Sequence, residues 1–420
     1  MSLRLQNQIV IITIISFATS QVLKHFLSTI GFNIIGFDYI IWFFYFAILV
    51  VIVLINNKIL ISPLYFLGLL FVIFFLIINY FTSPYTSIKS YLIGSFITLI
   101  PILTFIINYN ITLSKETIFL LLKYLLIAIS IILFIYSLEN IIADNKGIKV
   151  SSSIILKTGG FAGTLANINI SLALFLYHLT RKRKYILVLI YSVIVILICV
   201  LLKSMISALI ISLVYLQIFS RFGLKKIIIV LMLFLSTTVI LTTNKKVKNK
   251  IELYKQYYLN TSGDNLTPRL VLYRESLNIA KDHFPFGSGQ GTFGSFPVKL
   301  SYNKVYFDYE IYNKQGLGPK SKPSFIFDSH WASVIGEMGF ICALIYILLF
   351  FYPTFLAINF LKTKNAKPYS FLIIVSILAI LIESFALAIP YQISFILIYA
   401  GLSGILSRFL ITLRDRTVLH

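Results

Sequence analysis

The feature that most constrains this chain is a series of apolar runs of about 20 residues, each long enough to cross the hydrocarbon core of a bilayer. Backbone N–H and C=O groups find no water there. Each run must therefore satisfy them internally, as a helix does. Twelve runs qualify, at 9–28, 36–55, 60–80, 90–109, 117–138, 159–180, 185–202, 204–220, 227–243, 329–354, 369–389 and 391–411. Composition agrees: of 420 residues, 59% are hydrophobic and only 12% charged. Soluble domains carry about a quarter charged residues. A soluble enzyme, a disordered chain and a disulfide scaffold are excluded. Cys199 and Cys342 both lie inside apolar runs and read as small core residues. The first run begins near Gln8 and reads as a retained signal anchor.

The chain is basic, with a formal net charge of +22. Short cytoplasmic loops of membrane proteins collect Lys and Arg. With both termini inside, the inner loops hold sixteen, among them the run Arg181, Lys182, Arg183 and Lys184, and the short outer loops hold six. Residues 244–328, by contrast, form an 85-residue loop on the outer side, too long to obey the same bias. The expected organisation is nine crossings over 1–243, an extracytoplasmic loop domain over 244–328, and three crossings with a cytoplasmic C-terminus over 329–420. A loop of this length is kept where it folds and binds something.

Within the loop, Thr267 suits an N-cap and Pro268 the first helical position, which predicts a helix over about 268–283. Its expected apolar side is Leu270, Tyr273, Leu277, Ile279 and Ala280. Arg269 falls in its first turn and Arg274 more than one turn along. Gly287, Gly289, Gly291 and Gly294 follow, and 289–294 matches G-x-G-x-x-G. No βαβ unit surrounds that match, so it is not a dinucleotide fingerprint. It fits either a tight re-entry turn or a backbone cradle for a phosphate. Asp328 or Ser329 can cap the next helix, which places His330 in its first turn at the outer membrane surface. Glu337 lies two turns along on the same face. It can orient His330 or brace the packing. Four tyrosines, Tyr302, Tyr306, Tyr309 and Tyr312, suit stacking on sugar rings or contact with headgroups. Glu383 is an intramembrane carboxylate, either functional or a satisfied interhelical contact.

The Arg269-led helix, the P-x-G-x-G-x-G run from Pro285 to Gly291, and His330 followed by Glu337 and Gly339 resemble the O-antigen ligase and polymerase superfamily of bacterial envelope proteins. The resemblance is strongest over 267–294 and 328–341. Arg269, Leu270, Val271, Leu272 and Tyr273 fit the family's loop pattern, and Gly287 stands eighteen residues after Arg269. It is weaker over 157–170, where Asn167 falls near the family's Gly–Asn pattern, and over 202–210. There a family Ser–Arg pair is replaced by Ser204 and Met205, with Lys203 or Lys157 as the substitute cation.

The resemblance implies an all-α polytopic integral membrane protein with a GT-C-like fold, about 12 transmembrane helices and short helices in the long loop. It implies a metal-independent glycosyltransferase without cofactor, at the outer face of the bacterial cytoplasmic membrane. The donor would be an undecaprenyl diphosphate-linked glycan and the acceptor a glycan or lipid A-core sugar. Membrane lipid and a chain-length regulator protein are further expected partners; nucleic acid is not. His330, Arg269 and Glu337 take the catalytic positions. Arg269, Lys203, Arg274 and Lys157 take the diphosphate-binding ones, while Gly287, Gly289, Gly291 and Asn167 shape the loop and its surroundings. Polymerase and ligase share this chemistry. The long, tyrosine-rich loop and the missing Arg favour the polymerase. A transporter would need pseudo-symmetric halves and broken helices near the midplane, which the sequence does not display.

Overall fold

The computed structural model describes residues 60–145, 159–199, 202–219, 266–314, 316–321, 325–326, 329–385 and 397–418, with a few helical positions between 43 and 54. All regular structure among the described residues is helical. The order is α1 (Pro63–Thr82), α2 (Ile88–Tyr109), α3 (Lys115–Asn145), α4 (Gly159–Thr180), α5 (Lys184–Cys199), α6 (Leu202–Phe219) and α7 (Pro268–Asp282). There follow the short α8 (Phe296–Leu300) and α9 (Val305–Asp308), then α10 (His330–Asn359), α11 (Lys367–Ser384) and α12 (Leu402–Val418).

Among the described residues, six helical stretches are long and apolar enough to cross a membrane: Pro63–Thr82, Ile88–Tyr109, Lys115–Glu139, Ala162–Thr180, His330–Asn359 and Lys367–Ser384. The expected crossings at 185–202 and 204–220 correspond to α5 and α6, which are apolar but shorter. The crossings at 9–28 and 227–243, and nearly all of 36–55, lie outside the described residues. Of the last expected crossing, 391–411, residues 391–396 lie outside the described residues, and the rest is a π turn at Leu397–Gly401 leading into α12, which runs on to Val418.

The largest departure from expectation is at α10. His330 and Tyr346 have ring centroids 6.1 Å apart, and Trp331 and Phe350 5.5 Å. In a straight helix these pairs would be separated by about 24 and 28 Å along the axis, at about 1.5 Å per residue. The chain instead turns back at Gly339, whose φ of 71° and ψ of 171° are not helical. Residues 330–338 therefore form a short arm packed against 340–359, rather than the top of one continuous crossing over 329–354. The cause is backbone freedom at glycine combined with a close approach from the loop. A Cβ on Gly339 would lie 2.2 Å from Pro285 O, and one on Gly287 2.5 Å from Gly339 N.

The long arm runs antiparallel to α1. The rings of Tyr65 and Tyr352 are 4.9 Å apart toward one end. Toward the other, Asn79 Nδ2 donates to Glu337 O at 2.9 Å. Two cores result. The larger is built from the long helices. The smaller belongs to the loop and includes Val271, Leu272, Ile279, Phe293 and Tyr306. The short arm joins both, with Ala332 in the loop core and Trp331, Val334 and Met338 in the larger one.

The loop helix α7 begins where its cap signals place it, with Thr267 Oγ1 accepting from Leu270 N at 3.4 Å. Its buried face differs from the expected one. Val271, Leu272, Glu275, Ser276, Ile279 and Ala280 are buried, whereas Leu277 is 51% exposed. The helix is gripped by the short arm and the loop core on the 271/275/279 side, which turns Leu277 outward.

Candidate active site

The glycine loop is a buried strap between α1, α2 and the short arm of α10. Ser288 N donates to Gly336 O at 2.9 Å and Gly289 N to Glu337 O at 3.1 Å. Asn79 binds it from α1, with Nδ2 donating to Phe286 O and Oδ1 accepting from Gln290 N at 3.0 Å. Ser83 Oγ donates to Ser288 O. From α2, Thr98 Oγ1 donates to Gln290 Oε1 at 3.0 Å. Gly94 allows the close approach: a Cβ there would lie 2.7 Å from Gly291 N.

The loop does form a backbone cradle, and the anion in it belongs to the chain. Glu337 Oε1 accepts from Phe293 N at 2.9 Å and from Ser295 Oγ at 2.5 Å. The amides of Gly291 and Thr292 also face the carboxylate. Gly294 N donates to Tyr306 OH at 2.9 Å. Amides of residues 288–290, 293 and 294 thus have partners within the protein, which matches the re-entry turn rather than a phosphate cradle. Glu337 is 2% exposed and points at the loop, so its described partners are those of a brace.

A second polar cluster lies among α4, α6 and α11. Lys203 Nζ is 2.8 Å from Glu383 Oε2. Ser204 Oγ donates to Glu383 Oε1 at 2.6 Å and Asn167 Nδ2 to the same atom at 3.3 Å. Asn167 Nδ2 also reaches Ser204 O at 3.2 Å. The next residue, Ser384, accepts from Trp331 Nε1 at 2.7 Å. That bond ties the cluster to the helical start where His330 sits.

His330 is fully buried. The reversal at Gly339 carries the start of the short arm back along 340–359, so that the His330 ring lies near that of Tyr346. Ser329 occupies the N-cap position without a side-chain cap bond, and Asp328 lies outside the described residues. Above it, Tyr273 OH donates to Phe385 O at 3.3 Å. Burial raises the Tyr273 phenol's pKa, while the Ser329 hydroxyl and the Arg269 guanidinium pull it down. Arg269 and Tyr273 are one turn apart on α7 and share a face. Arg269, Tyr273, Ser329–Trp331, Glu383–Ser384 and Lys203 are therefore linked by successive contacts into one neighbourhood.

Residues 147–347 match a family model described as O-antigen ligase. Over that span the chain is similar to the O-antigen ligase and polymerase superfamily. No curated protein matches it. The superfamily's members are transferases, and with its long apolar helices the chain is a multi-pass membrane protein. The matched span carries Asn167, Lys203, Arg269, the glycine loop and His330. It ends before Glu383, and it leaves out Asn79, which holds the glycine loop from α1.

Against the superfamily expectations, the fold brings Asn167 and Lys203 together on Glu383, and Arg269 near Tyr273. It does not bring Arg274 to that place. Arg274 is 55% exposed and its Nε pairs with the adjacent Glu275 at 2.7 Å. Lys157 lies outside the described residues. The tyrosines divide as well. Tyr306 is fully buried, whereas Tyr312 is 44% exposed. Tyr302 donates to Leu317 O at 2.7 Å and Tyr309 to Asp282 Oδ2 at 3.0 Å. Glu383 is the residue that local pattern could flag but not place. Its signal was a carboxylate inside an apolar run, with nothing nearby to say which cation it would meet.

Proposed function

We propose that the chain is a membrane glycosyltransferase that polymerises oligosaccharide repeat units carried on undecaprenyl diphosphate, at the outer face of the cytoplasmic membrane. Both termini are cytoplasmic in this reading, and a chain-length regulator protein is a fitting partner. The reading rests above all on Arg269, His330 and Lys203 falling within one linked neighbourhood of a chain similar to the superfamily. Arg269 and Lys203 bind the donor diphosphate, Arg by its planar fork and Lys as a point charge. His330 takes the proton of an acceptor hydroxyl as that oxygen attacks the anomeric carbon. The new O–C bond forms as the bond from carbon to phosphate oxygen breaks, and the electron pair leaves on the diphosphate. One displacement inverts the anomeric centre. The cations neutralise the leaving group, so no metal is required for this step.

His330→Ala lowers turnover by about 10²- to 10⁴-fold, the usual worth of a general base. Arg269→Ala lowers it by about 10²- to 10³-fold, as for loss of a charge-stabilising donor. Both are measured as glycan output per folded chain in membranes. Undiminished output from both variants would end the assignment. The ligase is the second reading, favoured by the description of the matching family. Deleting a polymerase leaves single repeat units on the core, whereas deleting a ligase leaves long chains on the lipid carrier.

A further inference from the structure

We propose that Ser384, at the end of α11, is a positioning residue that fixes the His330 imidazole by holding the Trp331 indole beside it. The inference deepens the glycosyltransferase reading and rests on it, and it assigns a role to a residue outside the span matched to the superfamily. The short arm of α10 is pinned at its far end by two backbone bonds, Ser288 N to Gly336 O and Gly289 N to Glu337 O. At its near end His330 is the first helical residue, and Ser329 makes no side-chain cap bond. There Trp331 supplies a hold. Its Nε1 donates to Ser384 Oγ at 2.7 Å, and its ring meets that of Phe350 at 5.5 Å and 82°. The Ser384 hydroxyl is itself aimed: it donates its proton to Leu381 O at 2.7 Å and so turns a lone pair to the indole. Trp331 and Ser384 are both buried. The rings of His330 and Trp331 are 4.9 Å apart at 67°, so the indole forms one wall of the imidazole's site. The same end of α11 holds α7 as well, since Tyr273 OH donates to Phe385 O at 3.3 Å. Two consecutive residues thus contact the element bearing His330 and the element bearing Arg269, and set the spacing between them.

The first N–H groups of a helix have no partner one turn back, so its first turn is the least restrained by the helix itself. A base placed there needs a hold from outside. Apolar packing tolerates small shifts of one surface over another, whereas a buried, satisfied hydrogen bond is directional and specifies one arrangement. A buried indole N–H also needs an acceptor, which ties the ring to that arrangement. A general base must lie within hydrogen-bond reach of the proton that it takes. A displacement of about 1 Å can cost about 100-fold in rate.

The test uses the full-length chain in membranes, with undecaprenyl diphosphate-linked oligosaccharide extracted from cells that lack the chain. Rates are normalised to folded, detergent-extractable protein. Ser384→Ala is expected to lower the rate at saturating donor by roughly 10- to 100-fold, the scale of a misplaced reacting group. Donor KM should stay within about threefold, because the lost interaction acts on the chemical step rather than on donor binding. Ser384→Thr, which keeps the hydroxyl, should recover most of the rate. Trp331→Phe should lower the rate to a like degree, and joining it to Ser384→Ala should add little, since both break one bond. On the residual turnover of His330→Ala, Ser384→Ala should have no further effect. An unchanged rate in Ser384→Ala overturns the proposal, as does a loss that persists in full when His330 is already Ala. Loss of folded protein in both the Ala and Thr variants also overturns it and makes Ser384 a structural residue only. A wild-type chain that is silent with this donor, or one whose His330→Ala variant keeps full turnover, sinks the glycosyltransferase reading itself. That result is distinct from an active wild type and a crippled His330→Ala with an indifferent Ser384→Ala.

Discussion

Glu337 and Glu383 are the same side chain at nearly the same burial, 2% and 0% exposed, yet they are satisfied in opposite ways. Glu337 is met by neutral donors, the amide of Phe293 and the hydroxyl of Ser295. Glu383 is met by a cation, with Ser204 and Asn167 as supports. Backbone donors cannot leave, so a carboxylate bound to them fixes a loop. A side-chain cation instead joins two helices, as Lys203 of α6 does with Glu383 of α11. Burial alone therefore does not identify a functional carboxylate; the partner that it holds decides.

The comparison can be broken at the Glu337 end most drastically through the turn beneath it. Gly339→Ala places a Cβ 2.2 Å from Pro285 O at a φ of 71°. It should cost about 3 kcal/mol or more, from backbone strain plus overpacking. Thermal unfolding of the detergent-purified chain measures this, and an unshifted midpoint would mean the turn relaxes freely. Glu337→Gln comes next. Losing charge-assisted bonds to Phe293 N and Ser295 Oγ should cost about 1.5–3 kcal/mol of stability, with donor KM unchanged per folded chain. Full stability with abolished turnover would instead make Glu337 the partner of His330. The smallest effect belongs to Arg274→Ala. Its pair with Glu275 is largely exposed, and such pairs are worth about 0–1 kcal/mol. Stability and donor KM should both stay at wild-type values, in contrast to Arg269→Ala on the same helix. A raised donor KM would return Arg274 to the site.

Much of the local structure is legible in the residues themselves. The long apolar runs announce α1 to α4 and α11, because a bilayer-length helix needs only its own residues to satisfy its backbone. Thr267 and Pro268 announce α7 for a similar reason, since a cap acts within one turn. The buried face of α7 was harder to read. Leu277 is as apolar as Leu272, and only the neighbours on either side decide which is covered. The reversal at Gly339 was hidden because the run on both sides of it is uniformly apolar. A single glycine there looks like an ordinary helical position until Pro285 and Gly287 are brought against it.

The candidate site divides along the same line. Arg269, His330 and Lys203 could be named from residue types, spacing and resemblance. Their linkage depends on contacts such as Trp331 with Ser384 and Ser204 with Glu383, the latter 179 residues apart in sequence. By itself the chain's sequence determined a helical membrane protein, a capped loop helix led by Arg269 and a glycine-rich segment after it. These follow from hydropathy, caps and backbone freedom, which act over one run or one turn. Only the tertiary structure decided that Glu337 fills the glycine cradle, that His330 is buried within the bundle, and that Glu383 pairs with Lys203. A buried carboxylate takes whichever donors packing brings within about 3 Å, and packing is a property of the whole bundle.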